Sequence, residues 1–189
     1  NTLFNELLPE YLKEDAAFIK QKFALYIVVD LVEHLGLEIL QEKYEDCFKV
    51  IENSSKSLNP VIRQAGSYGL GVSSLASGEL FQKFSESTVE CLKNSIDMEV
   101  GTQDKTEFNH SRDNAISALA KVMKHQHACI NVEETFAFWL QKIPLKYDLT
   151  EARLCNDFLA DVVTENPEMV IGKNYEHAKQ FIILLGEIC

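Results

Sequence analysis

Proline and glycine are scarce, four and eight among 189 residues. Few chain breakers leave room for long uninterrupted elements. Paired cysteines are absent: Cys47, Cys91, Cys129, Cys155 and Cys189 lie far apart, odd in number and without a CxxC. That excludes a disulfide framework and suits free buried thiols in a reducing compartment. No apolar run reaches the roughly 18 residues a membrane span needs; the stretch 23–37 is interrupted by Asp30, Glu33 and His34. No segment alternates as a strand would. Basic residues are the minority, 18 Lys and Arg against 29 Asp and Glu, for a net charge of -11. Such a surface repels nucleic acid and anionic lipid and attracts basic proteins, although solubility alone accounts for acidity equally well. What remains is 46% hydrophobic, too apolar for a disordered chain.

The stretch 59–78, NPVIRQAGSYGLGVSSLASG, organises the rest. Asn59 suits an N-cap and Pro60 the first helical turn. Val61, Ala65, Tyr68, Val72 and Leu75 recur at helical steps. Two glycines inside the helix cost about 1 kcal/mol each relative to Ala, a cost that close approach of a neighbouring helix offsets. Arg63 stands alone near the helix start, where a carboxylate or helix-end carbonyl of an adjacent unit is its expected partner.

Helices are expected along the whole chain. Residues 2–13 read as one, bent or broken at Pro9. A long amphipathic helix runs from about Asp15 to Leu35, and Leu37 to Asn53 is its partner. The Pro60 helix is followed by a partner from Glu79 to Ile96. Residues 98–110 read as a polar loop. Ser111 or Asp113 caps the next helix, which runs to about His127. Asn131 caps a helix ended by Pro144. Asp148 caps another, with Leu154 among its inward residues, and the last spans about Tyr175 to Glu187. First helices starting near Asp15, Pro60, Arg112 and Leu149 give a period of about 40 residues, that of HEAT repeats. A compact up-down bundle uses similar parts, but a solenoid better explains the likeness between successive pairs. The expected fold is therefore all-α: a HEAT-repeat superhelix of four to five helix pairs across residues 1–189. The sequence starts at Asn1 without Met and stops within an apolar helix, so it reads as a segment of a longer solenoid.

The wording of several stretches is narrower than a generic HEAT repeat. Pro60-Val61-Ile62-Arg63-Gln64-Ala65 with Tyr68-Gly69-Leu70-Gly71 resembles the importin-beta (karyopherin-beta) superfamily, nearest its beta-3 type. So do Asp113-Asn114-Ala115-Ile116 with Ala118-Leu119-Ala120-Lys121, then Trp139-Leu140, Ile143-Pro144-Leu145, Asp148 and Glu151-Ala152. Asn166-Pro167, Val170, Gly172 and Asn174 complete the series, in the family's order and spacing. Ile143, Ala120 and Gly66-Ser67 depart from its usual residues by size-conserving or small-for-small changes that leave the fold intact. On this resemblance the structural signature is Pro60, Arg63, Asp113, Asn114, Pro144 and Asp148, and the segment belongs to the C-terminal third of the solenoid.

The resemblance implies a nuclear import receptor segment that carries basic cargo such as ribosomal proteins or histones, regulated by Ran-GTP mainly through repeats elsewhere. It further implies weak contacts with Phe-Gly nucleoporins and shuttling between cytoplasm and nucleus. Second helices of such solenoids line the concave wall. Gln82, Glu86, Glu90, Asn94 and Asp97 form one polar stripe there, and Glu38, Glu42 and Glu45 another. These acids are the candidate cargo contacts; the bland alternative is a solvated face. Other readings are a HEAT scaffold outside nuclear transport, such as a phosphatase or trafficking-coat subunit, and an all-helical enzyme.

Catalytic and metal sites are not expected. His125, His127 and Cys129 are ligand types, but they lack a fourth partner and the paired spacing of zinc sites. Gly69 and Gly71 precede no Lys-Ser/Thr and so do not make a phosphate loop. No cofactor, nucleic acid or membrane partner is implied.

Overall fold

The computed structural model describes residues 6, 8–13, 16–35, 42–99 and 105–188. These contain helices and no strand: α1 (Leu8–Tyr11), α2 (Phe18–His34), α3 (Tyr44–Ser55), α4 (Pro60–Ala76), α5 (Glu79–Gln82), α6 (Ser85–Asp97), α7 (Lys105–His125), a 3-10 turn (His127–Cys129), α8 (Val132–Leu140), α9 (Leu149–Glu165), α10 (Glu168–Ile171) and α11 (Ala178–Ile188).

The architecture is the layered stack of a HEAT-type solenoid. The first helices α2, α4, α7 and α9 pack one on the next, and the second helices α3, α6 and α8 pack beside them. First helices start at Phe18, Pro60, Lys105 and Leu149, a step of about 42 to 45 residues that matches the HEAT period.

The centre is α4, buried on nearly every side. Asn59 Oδ1 caps it, accepting from the backbone N–H of Val61 at 3.0 Å and of Ile62 at 3.4 Å. Between them its glycines face three neighbouring helices. A methyl on Gly66 would lie 2.2 Å from the Ser55 nitrogen of α3. One on Gly69 would lie 2.8 Å from Val29 of α2 and equally near Ile51 of α3, and one on Gly71 would lie 3.0 Å from the Ala118 Cα of α7. Close approach on three sides is thus what the missing side chains provide. Leu75 does not share this burial: it is exposed, because the helix buries Ile62, Gly66, Gly69, Leu70 and Ser73 instead.

Several expectations are corrected. Residues 105–110 of the expected 98–110 loop are helical, because Phe108 is buried and continues the inward stripe of Ser111 and Ala115 one turn earlier; residues 100–104 lie outside the described set. Ser111 and Asp113 consequently sit buried inside α7 and cap nothing. The expected helix 79–96 is broken at Lys83 and Phe84. The step lets Phe84 stack on Phe48, ring centroids 4.1 Å apart, while Phe81 meets the same ring edge-on at 5.8 Å. On α2 the inward face is Ala24, Leu25, Val28, Val29 and Val32, whereas Phe18, Ile19, Phe23, Tyr26 and Ile27 are exposed. Slim side chains face Gly69 because α4 comes too near for rings. Leu154 of α9 is exposed as well, as are Ile182, Ile183 and Leu185 of α11.

The core closes on Trp139 of α8, fully buried between Phe136 and Phe158, with its indole N–H donating to Ile116 O at 3.0 Å.

Candidate functional site

The residues expected as a structural signature fall at two joints. Pro60 is buried in the first turn of α4. Arg63, 1% exposed, donates from Nη1 to Ser57 O at 2.6 Å and Leu58 O at 3.2 Å, and lies 5.4 Å from the Phe108 ring centroid. Its partners are carbonyls of the turn after α3 and an aromatic face of α7. The partner is a carbonyl rather than a carboxylate, but of the turn leading into α4 itself, five and six residues before Arg63, rather than of a helix end in an adjacent unit; burial lowers the guanidinium pKa from its usual value. Asp113 Oδ2 accepts from the backbone N–H of Tyr147 and Asp148 at 2.8 and 2.9 Å. Asn114 Nδ2 donates to His110 O at 3.0 Å and to Asp148 Oδ2 at 2.9 Å. Asp148 Oδ1 in turn caps α9, accepting from Thr150 and Glu151 N–H at 3.2 Å. Pro144 lies in the same turn, between buried Ile143 and Leu145 and after a cis peptide bond.

On the second-helix layer, Glu86, Glu90, Asn94 and Asp97 are all exposed on α6. Glu45 is exposed in the first turn of α3 and Glu42 in the turn before it; Glu38 lies outside the described residues. The stripe is not uniformly available. Glu45 pairs with Lys83, and that ammonium holds its carboxyl below the usual range. Asp97 pairs with Lys142 at 2.6 Å, and Lys93 reaches Glu134 at 2.8 Å, lowering that carboxyl. Lys93 and Lys142 also flank the Phe138 ring, at 5.6 and 4.7 Å from its centroid. Among the described residues, Glu86 and Glu90 form no such pair and stay open to a basic partner.

These lysines are the part sequence reasoning missed. Lys83–Glu45, Lys93–Glu134 and Lys142–Asp97 join residues 38, 41 and 45 positions apart, close to one repeat. A search for opposite charges one period apart finds them. The first-helix layer carries a parallel chain. The Tyr68 hydroxyl donates to Glu33 at 3.2 Å, Lys121 Nζ stands 4.9 Å from the Tyr68 ring centroid, and Lys121 donates to buried Glu151 at 2.9 Å. Ser117 also donates to Glu151. This polar line crosses α2, α4, α7 and α9.

The three buried thiols are not activated nucleophiles. Burial pushes the Cys47 thiol up to about 11 and Cys155 to about 12, and raises Cys91, so these three stay protonated at neutral pH. The described residues do not gather His125, His127 and Cys129 into a ligand set; they bring together Asp30, Glu33 and His34 on the α2 surface, ligand atoms within 4.8 Å of one another. Glu33 there already accepts from Tyr68, and exposed groups on one helix edge do not make a closed site. No described helix is long and apolar enough to cross a membrane.

No family model matches the chain. A curated protein of Dictyostelium discoideum, described as a probable importin-5 homolog, is 27% identical over 178 residues, covering 92% of this chain. The chain spans 16% of that relative's length.

Proposed function

We propose that this chain is a segment of an importin-beta type nuclear import receptor of the beta-3 kind, from the C-terminal part of its solenoid. The observation that carries the reading is the similarity to an importin-5 homolog across 92% of the chain, on a stack of repeats with the HEAT period. The segment binds and carries and does not catalyse. Its ligand is a basic protein segment, of the ribosomal-protein or histone type, held by carboxylates of the second-helix layer. Glu86 and Glu90 supply the free charge and Asn94 a neighbouring hydrogen-bonding group, whereas Glu45 and Asp97 first have to release Lys83 and Lys142. Ran-GTP acts mainly through repeats outside this segment, Phe-Gly nucleoporins make the weak pore contacts, and the receptor shuttles between cytoplasm and nucleus.

A charge-matched pair of variants tests the contact surface. E86K/E90K reverses two acids on the second-helix layer; D30K/D157K reverses two exposed acids on first helices, so long-range attraction changes equally. Anisotropy with a labelled Lys/Arg-rich peptide is expected to show salt-dependent binding, weakened clearly more by E86K/E90K. Equal losses would reduce the attraction to bulk charge and remove Glu86 and Glu90 as contacts.

A further inference from the structure

We propose that the cleft between the ends of α7 and α9 is a docking site for an extended protein segment that bears a large apolar side chain next to a lysine or arginine. The inference does not rest on the transport reading, and the cleft shares no residue with the acids of α3 and α6.

The last turns of α7 and α9 and the first turns of α8 enclose a space of about 570 Å³, within the range of roughly 300–1,000 Å³ in which pockets bury a ligand. Its wall is mainly apolar. Met123, Phe136 and Phe158 reach it from the core. Val132, Val162 and Met169 stand around it half-buried. Covering such surface is favourable. Methionine is unbranched and adapts to the shape it meets, so this wall selects apolar bulk rather than one particular side chain.

The charges at the mouth select the rest of the ligand. Lys124, Asp161 and Glu165 line it, beside the His127 imidazole and the Asn166 amide. Lys124 and Asp161 pair with each other at 2.7 Å. Glu165 makes no ion pair among the described residues, so one carboxylate is left uncompensated. Glu165 is also the last residue of α9, and the final turn of that helix holds no basic residue. Carbonyls at a helix C-terminus carry partial negative charge, so an acid there is repelled and a cation is attracted. The end of α7 already holds Lys124 and His125. The carboxylate and the end of α9 thus call for the same ligand charge. An acidic or phosphorylated segment would meet Asp161 and Glu165, and a segment with positive charge alone would leave the wall uncovered. The apolar wall and Glu165 belong to one cleft, so the two groups that fill it have to be neighbours in the partner's sequence.

The experiment uses the methionines. The chain has three, Met98, Met123 and Met169; two line the cleft and Met98 ends α6. Labelling their methyl groups with 13C reports the cleft and the second-helix layer separately. The probes are short blocked peptides of Gly and Ser that contain Leu-Lys, Leu-Gln, Ala-Lys or Phe-Gly. The Leu-Lys peptide is expected to move Met123 and Met169 saturably and to leave Met98 in place. The Leu-Gln and Ala-Lys peptides should bind at least tenfold more weakly. E165K should weaken Leu-Lys binding at least tenfold, while E107K, which reverses an exposed acid in the first turn of α7, should leave it unchanged. Unmoved Met123 and Met169 resonances with the Leu-Lys peptide overturn the inference, and so do equal affinities for Leu-Lys and Leu-Gln or equal losses in E165K and E107K. A Phe-Gly peptide that binds as tightly overturns it by making the cleft a neutral apolar pocket. Movement of the two resonances with protein concentration alone overturns it by assigning the cleft to a second copy of the chain. A shift confined to Met98 places the basic segment on the second-helix layer, which overturns the cleft and leaves the transport reading standing.

Discussion

Asp113 and Asp148 lie 35 positions apart, and the first holds the second in place: Asp113 Oδ2 accepts from the Asp148 backbone N–H at 2.9 Å. Asp148, so held, caps α9 through its own side chain. One carboxylate thus fixes where the next first helix begins. Through Asn114, which donates to Asp148 Oδ2, the same joint ties α7 to α9 a second time.

Removing the Asp113 carboxylate should therefore loosen the joint between repeats. D113A leaves the Tyr147 and Asp148 N–H groups without their acceptor and is expected to cost about 1–3 kcal/mol. D113N keeps one acceptor oxygen and should cost less. Urea midpoints compare the two; a D113A midpoint equal to wild type would mean water replaces the carboxylate without loss.

Arg63 makes the corresponding joint between the first and second helix pairs. R63A takes the 2.6 Å donor from the part-buried Ser57 carbonyl and vacates space beside Phe108. It should lower stability by about 1–3 kcal/mol, mostly from the lost packing of a buried side chain. R63K keeps a donor but not the planar contact, and should recover only part. An unchanged denaturation midpoint for R63A contradicts the burial found here.

The glycines separate close approach from helix propensity. G66A places a methyl 2.2 Å from the Ser55 backbone nitrogen, which no rotamer can relieve. A loss of at least about 1–3 kcal/mol is expected, as for other overpacked sites. G186A meets nothing within 4 Å and lies inside α11, so it should gain about 0.5–1 kcal/mol from propensity. Thermal unfolding of both variants measures the contrast. A tolerated G66A would mean α3 and α4 are free to move apart.

Alkaline pH probes Tyr44. Its hydroxyl is buried without a hydrogen-bond partner, and burial pushes its pKa from 10.0 up to about 12. The native state keeps a proton that the unfolded chain loses from pH 10 upward, so stability falls as pH rises from about 10 to about 12 and is unaffected below. The fall attributable to Tyr44 is at most about 2–3 kcal/mol, at roughly 1.4 kcal/mol per unit. Y44F removes the titrating group. It should match or exceed wild-type stability near pH 7 and lose less than wild type by about pH 12. Equal alkaline losses in the two would assign the effect to other groups, such as the Cys47 thiol.

Of the proposed contact surface, the sequence made the exposure of Glu86, Glu90 and Asn94 legible, since polar residues at helical steps face water wherever the apolar stripe is buried. It did not reveal that Glu45 and Asp97 are occupied, because Lys83 and Lys142 lie roughly a repeat away, and one helix carries no record of its neighbour's charges.

What the sequence determined by itself is local or periodic. Asn59, Asn131 and Asp148 start their helices because each cap bonds to an N–H two or three residues on, and the recurrence of helix pairs about every 40 residues specifies the stack. Tertiary structure decided which faces are inside. On α2 the larger apolar residues, Phe18, Phe23 and Tyr26, lost to Ala24, Val28 and Val29, because the glycine-rich α4 approaches too closely for rings. On α7, Phe108 drew six residues of apparent loop into the helix, because a buried site beside Arg63 awaited its ring. Both choices turn on the space left by residues about 40 positions away, and no short window of sequence contains that space.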